Sequence, residues 1–144
     1  MLIYKTNNAI EALLVLPFIA SIDAYYPDIK EWYINTVVPG ISTSDDVLLI
    51  AKEGSSIHGI ALAKNSDECK LRCVRVSPDY QNSGLGIRLI DKALSLIGDK
   101  PKVSVCQELF HDYSRAFITR YNFELSSVIK GKYRQHKLEY YFNE

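Results

Sequence analysis

The sequence predicts an α/β fold of the mixed α+β type: a central mixed, mostly antiparallel sheet of about seven strands with helices on both faces. Three observations predict it. Runs of strand period and runs of helical period follow one another in the order β-α-α-β-β-β-α-β-α-β-β, which suits neither a helix bundle nor a β-sandwich. The apolar runs at 47–52 and 59–64, separated by EGSSIH, read as an antiparallel hairpin. The strand KLRCVRV then feeds SPDYQNSGLGIRLI, where Pro78 ends the ladder and a helical pattern takes over.

LIYKT is a short first strand, and Asn8 caps the helix after it, with Glu11 three residues on to complete a capping box. That helix runs toward Tyr25, with a kink expected at Pro17. After Tyr26-Pro27 a second helix covers residues 29–38 and stops at Pro39-Gly40. Past the hairpin, the turn NSDE leads into KLRCVRV, where Leu71 and Cys73 alternate but Val74 and Val76 continue one residue out of phase. A β-bulge has that signature, and it would leave backbone groups near Val74 unpaired. Leu85, Leu89, Ile90, Ala93 and Ile97 recur at helical spacing up to Gly98. Residues 102–107 alternate as a strand, 112–121 read as a helix, and two strands close the chain around residues 131–135. No repeat or linker divides the 144 residues, so one domain is expected over 1–144.

With 47% hydrophobic and 24% charged residues the chain can build one core and stay soluble. Seventeen Lys and Arg offset seventeen Asp and Glu, so no basic field gathers nucleic acid or anionic lipid. The most apolar run, ALLVLPFIA, is interrupted by Pro17 and falls far short of the about 20 residues of a membrane span. Cys69, Cys73 and Cys106 show no metal-ligand spacing. The first two would stand roughly 13 Å apart on one strand, too far for a disulfide. Free thiols in a reducing cytoplasm, and no metal, are the expectation.

Gly84 and Gly86 are two of only seven glycines, placed where a strand gives way to a helix. A loop of Gln81, Asn82, Ser83, Gly84, Leu85 and Gly86 can aim several backbone N–H groups at one point, and a helix N-terminus adds positive potential, which together suit a phosphate. On the spacing alone, an ordinary strand-to-helix turn is the competing reading.

Q-x-x-G-x-G after a V-x-P strand end resembles the acyl-CoA motif of the GNAT N-acetyltransferases. FITRYNF, residues 117–123, is similar to that family's segment closing the last helix, and the element order is similar to its whole fold. E-x-K-x-x-x-V-x-V, Lys100-Pro101, G-x-Y-R and E-Y-x-F-N further resemble a narrower bacterial branch. The resemblance implies acetyl-CoA as cosubstrate, its pyrophosphate on Gln81 to Gly86 and its pantetheine arm on Val74, Arg75 and Val76. It also implies transfer of the acetyl group to a primary amine by direct attack. Departures are equally specific. The tyrosine that often protonates the departing thiolate has its slot at Ile118, the Asn often found seven residues earlier is His111, and Asn122 replaces a usual Gly.

Transfer to an amine needs a base, because an alkylammonium with a pKa near 10.4 costs about 4.6 kcal/mol to deprotonate at pH 7. Glu68 and His111 are the candidates for it and Tyr133 for an acid, against a solvated turn carboxylate, a surface histidine and a packing tyrosine. The acceptor, a small molecule or a peptide amine, would cross the aromatic corner of Tyr25, Tyr26 and Trp32. A catalytically impaired acyl-CoA sensor stays open because of Ile118, a tRNA-directed enzyme is disfavoured by the neutral charge, and a homodimer is allowed.

Overall fold

The computed structural model describes residues 1–144. β1 (Leu2–Thr6) leads into α1 (Ala9–Leu14), α2 (Leu16–Ala20), α3 (Ile29–Trp32) and α4 (Val38–Thr43), the last two joined by a π-helical turn, Tyr33–Val37. Next come β2 (Asp46–Glu53), β3 (Ser56–Asn65) and β4 (Cys69–Val76). After a single 3-10 turn the chain forms α5 (Leu85–Ile97), β5 (Lys102–Cys106) and α6 (Gln107–Arg115), which continues as a π-helical turn, Ala116–Arg120. β6 (Leu125–Lys130) and β7 (Leu138–Phe142) end the chain. The seven strands form one mixed sheet in the order β1-β2-β3-β4-β5-β7-β6, antiparallel throughout except where β4 runs parallel to β5. No helix is long and apolar enough to cross a membrane.

β2 and β3 are buried on both faces, which is why their sequences are continuously apolar. Val47, Leu49, Ala51, Ala61 and Ala63 turn toward α5, whereas Leu48, Ile50, Ile60 and Leu62 turn toward α1, α2 and α4. The α5 side of the sheet is the broader core, since it also takes in Val103, Phe117 and Phe142 from the second half of the sheet.

Four local expectations are corrected. Asn8 Oδ1 does cap α1, accepting from the N–H groups of Ile10 and Glu11, but no capping box forms. The Glu11 carboxylate accepts instead from Tyr4 and Thr6, which pins the helix to β1 and lowers its pKa. Pro17 does not kink one long helix; it sits in the first turn of α2, where its missing N–H has no partner to lose. Pro39 likewise begins α4 rather than ending a helix, because the π turn before it shifts the hydrogen-bond register. The helix expected at 112–121 starts earlier, at Gln107.

The helical layer is anchored by Tyr33, fully buried, whose hydroxyl donates to the Ala12 carbonyl at 2.6 Å. Removing it leaves a buried carbonyl one donor short. Tyr33→Phe is expected to lower the unfolding free energy by about 1 to 3 kcal/mol in a urea titration, with an unchanged m-value.

Candidate active site

The expected bulge is present, though not at Val74. Leu62 pairs with Cys73 while Ala63 pairs with Leu71, so Arg72 is the extra residue. Leu71 and Val74 accordingly face the α5 core and Cys73 the other side. β4 and β5 share only the register pairs Lys70 with Lys102 and Leu71 with Val103, and then diverge. Past that apex β4 has no neighbour on one edge, and the Val74 carbonyl takes its hydrogen bond from Tyr113 Oη at 2.6 Å. An N–H and C=O of one residue share a strand edge, so the Val74 N–H faces the same gap.

Two cavities meet at the apex. The smaller, about 50 Å³, lies in the gap itself, between Val74 and Arg75 on one wall and Val105, Leu109, Tyr113 and Phe117 on the other. The larger, about 370 Å³, opens on the opposite side under Tyr26, Trp32, Tyr133 and Tyr141. Ile22, Tyr26, Leu71, Arg72, Val103 and Ser104 line both. Phe110 stacked on Tyr140 at 3.9 Å and Phe117 edge-on to Phe142 at 5.3 Å hold α6 as the wall of the gap.

Beyond the open end of β4, Asn82 (φ 62°) and Gly84 (φ 85°) adopt left-handed conformations on either side of Ser83, turning the chain sharply into α5. The N–H groups of Asn82, Gly84, Gly86 and Ile87 have no acceptor in the protein. A Cβ on Gly86 would meet only Val76 Cγ2, at 3.8 Å, so packing does not require glycine there. Open space above unpaired donors at the start of a 13-residue helix fits an anionic pyrophosphate.

The remaining sequence candidates are spread out. Val76 packs against the α5 core, and Arg75 Nε donates to Ser21 Oγ at 3.1 Å. Tyr26 and Trp32 line the larger cavity, but Tyr25 lies under the Arg134 guanidinium, 5.5 Å from its ring centroid, and lines neither cavity. Tyr133 lines the larger cavity with its ring edge-on to Tyr26 at 5.1 Å; burial raises its pKa. His111 is exposed on α6 and lines neither cavity. Glu68 sits among Lys64, Lys70 and Lys102, with Lys102 Nζ at 3.1 Å, and bonding to Lys102 first and Lys70 next lowers its pKa. Those ion pairs make it a weaker base and hold it behind the lysines of the cavity rim.

Sequence reasoning missed Tyr113 and Glu139. Glu139 is 3% exposed on β7, accepts from Tyr26 Oη at 2.8 Å, and has its pKa raised by burial. Tyr113 lies five residues before the empty tyrosine slot at Ile118, which is 46% exposed. Glu139 opens the E-Y-x-F-N motif, but nothing in the sequence marks it for proton transfer, since its partner is 113 residues away. The Cys73 thiol in the gap is pushed up to about 12 by burial and is no nucleophile at neutral pH.

The split sheet with a turn of free N–H groups at the mouth of the split is the architecture of an acetyltransferase class. A GNAT-family protein from Desulfovibrio desulfuricans superimposes with a TM-score of 0.78 at 19% identity, over 98% of this chain and 96% of its own. PaiA N-acetyltransferase from Thermoplasma acidophilum, in complex with coenzyme A, gives 0.68 at 16% over 100% of both chains. The aminoglycoside 6'-N-acetyltransferase from Enterococcus faecium gives 0.68 at 11%, over 99% and 95%. No curated protein matches the chain. Residues 7–123 match the model of the acetyltransferase (GNAT) family, and the chain belongs to that family.

Gly86→Val is expected to leave the fold intact and to reduce coenzyme A affinity at least about 10-fold, since a branched side chain would fill the approach to the free N–H groups. Isothermal titration with coenzyme A, alongside the far-UV spectrum, checks it. Unchanged affinity would make the loop an ordinary turn.

Proposed function

We propose that the protein is an acetyl-CoA-dependent N-acetyltransferase that acetylates a primary amine by direct attack. The observation that carries this reading is the junction of the two cavities at the apex between β4 and β5, one leading to the anion loop and the other to an aromatic-walled opening. Acetyl-CoA supplies the activated acetyl group. The protein's part is to bind it along the free edge of β4 and to bring the amine to the same point through the larger cavity. The Val74 N–H, fixed at that edge, is placed to stabilise negative charge developing on the acyl oxygen, a contribution commonly worth about 3 kcal/mol.

Proton traffic follows from two hydroxyls. Burial raises the Tyr113 pKa, so its hydroxyl stays protonated and serves as the donor to the departing sulfur in place of the residue missing at Ile118. Glu139 is the base, reached through Tyr26, whose pKa is also raised, by burial and then by the Glu139 charge. A proton passing to the Tyr26 oxygen releases the Tyr26 proton to Glu139. The C–N bond forms as the C–S bond breaks. Of the two protons the ammonium gives up, one leaves through Glu139 to solvent, and the other restores Tyr113 after it has protonated the sulfur. Glu139, rather than Glu68 or His111, takes this role because it alone of the three bonds to a wall of both cavities.

The sensor reading remains the alternative, on the strength of Ile118. Coenzyme A release across an amine panel, with and without tRNA, separates it from catalysis: binding with no acceptor-dependent release would make the protein a sensor. Acetyl-CoA at a hundredfold excess over Kd should raise the unfolding free energy by about 2.7 kcal/mol in either case. No stabilisation at millimolar ligand would remove both readings.

Burial holds Glu139 protonated to higher pH than a free carboxyl, while Tyr26 first, then Ser104 and the Arg134 charge oppose the rise and Glu108 adds to it. Only the ionised form accepts a proton, so kcat/KM is expected to climb with pH through a value above the ordinary carboxylate range of about 4.3. Glu139→Gln should lower kcat/KM by about 10²-fold and remove that limb. A Glu139→Gln variant that keeps the wild-type profile would pass the role to another group.

A further inference from the structure

The larger cavity carries a feature that general amine acetylation leaves unused. Three buried side-chain polar atoms lack a hydrogen-bond partner anywhere in the protein, and two of them, Arg72 Nε and Tyr141 Oη, belong to residues lining this cavity. Buried polar groups are nearly always paired, so two unspent groups around one opening are available to a polar ligand that enters it. Arg72 is the bulge residue at the apex, shared by both cavities, and its guanidinium stacks over the Trp32 ring at 5.0 Å. Asp46 forms an ion pair with Arg72 at 3.8 Å from Nε, which offsets charge but is too long for a hydrogen bond and leaves the N–H donors unspent. Lys70 and Lys102 on the rim are already engaged by Glu68, and Asp28 and Glu144 lie at the same opening. The one cation with donors to spare is therefore Arg72, and a planar fork of N–H groups in a cavity that a tyrosine hydroxyl also lines matches a carboxylate.

We infer that the acceptor is an amine that also carries a carboxylate, of amino-acid type with an aromatic or large apolar side chain, held by Arg72 with Tyr141 while Trp32, Tyr26 and Tyr133 enclose its apolar part. This rests on the acetyltransferase reading for the amine, but the carboxylate site itself does not.

Matched acceptors test it. Phenylalanine and phenethylamine, and tyrosine and tyramine, differ only in the carboxylate. With saturating acetyl-CoA, kcat/KM is expected to favour the acid of each pair by at least about 10-fold. Arg72→Gln should abolish that preference mainly through KM while still turning over phenethylamine. Arg72→Lys, which keeps the charge but loses the fork, should fall between. Equal or better turnover of the decarboxylated amines, better turnover of spermidine, or a preference that survives Arg72→Gln would overturn the assignment. If no amine is acetylated, the catalytic reading fails and the site is read by binding alone. N-acetylphenylalanine should then raise the wild-type Tm, N-acetylphenethylamine should not, and Arg72→Gln and Arg72→Lys should lose or weaken the shift. Equal shifts from the two, or none from either, would overturn the site as well.

Discussion

Everything specific about this molecule depends on two strands that part after two residue pairs. β4 is paired with β3 along its whole length, yet it touches β5 only at Lys70 and Leu71. A sheet cannot simply be torn, because the backbone groups along the tear lose their partners and buried orphans cost free energy. The protein meets that cost locally, with Tyr113 donating to the Val74 carbonyl from the helix across the gap. The gap therefore stays open to a ligand that can offer the same kind of bond.

The two faces of the sheet treat the split differently. On the α5 side a continuous apolar core joins Val47 and Leu49 of one half to Val103 and Phe142 of the other, so the halves are held together from behind. On the opposite side the buried cluster draws on β2 and β3 but takes no residue from β5, β6 or β7. That asymmetry makes the larger cavity. Its roof comes from the chain between α2 and α3 and from the β6–β7 turn, which Arg134 clamps to α6 through paired bonds to Glu108 at 2.6 and 2.7 Å. The same guanidinium covers Tyr25, and its hydrogen bonds to Glu108, aided by its charge, hold the Glu108 pKa down to about 2.

The fold was largely legible because its signals are local. Period, turn residues and the out-of-phase valines give every strand, α5 and α6 in the right order, including the bulge strand, and read the four short helices before β2 as two. The errors came where a tertiary partner outbid a local rule. Glu11 left its capping box for Tyr4 and Thr6, and Pro39 began a helical segment because a π turn had reset the register. The sharp turn into α5 with its unpaired N–H groups could be read from two glycines and their setting. Glu139 and Tyr113 could not, since the chemistry assigned to them depends on Tyr26 and Val74, 113 and 39 residues away in the chain.

The bulge is what ties specificity to the site of reaction. Without the bulge, these same residues would alternate regularly from Leu71, and Val74 would fall on the face that Cys73 now occupies. Absorbing Arg72 as a bulge keeps Leu71 and Val74 on one face, completes the α5 core, and sets a guanidinium at the apex on the side of Trp32. One inserted residue thus packs the core behind the gap and charges the wall in front of it. A lysine there could supply the charge but not the flat stack on the indole or the second donor in the same plane. The cation that would read the acceptor and the backbone edge that would bind the acyl donor are consequently two or three residues apart on one strand, and neither can shift without moving the other.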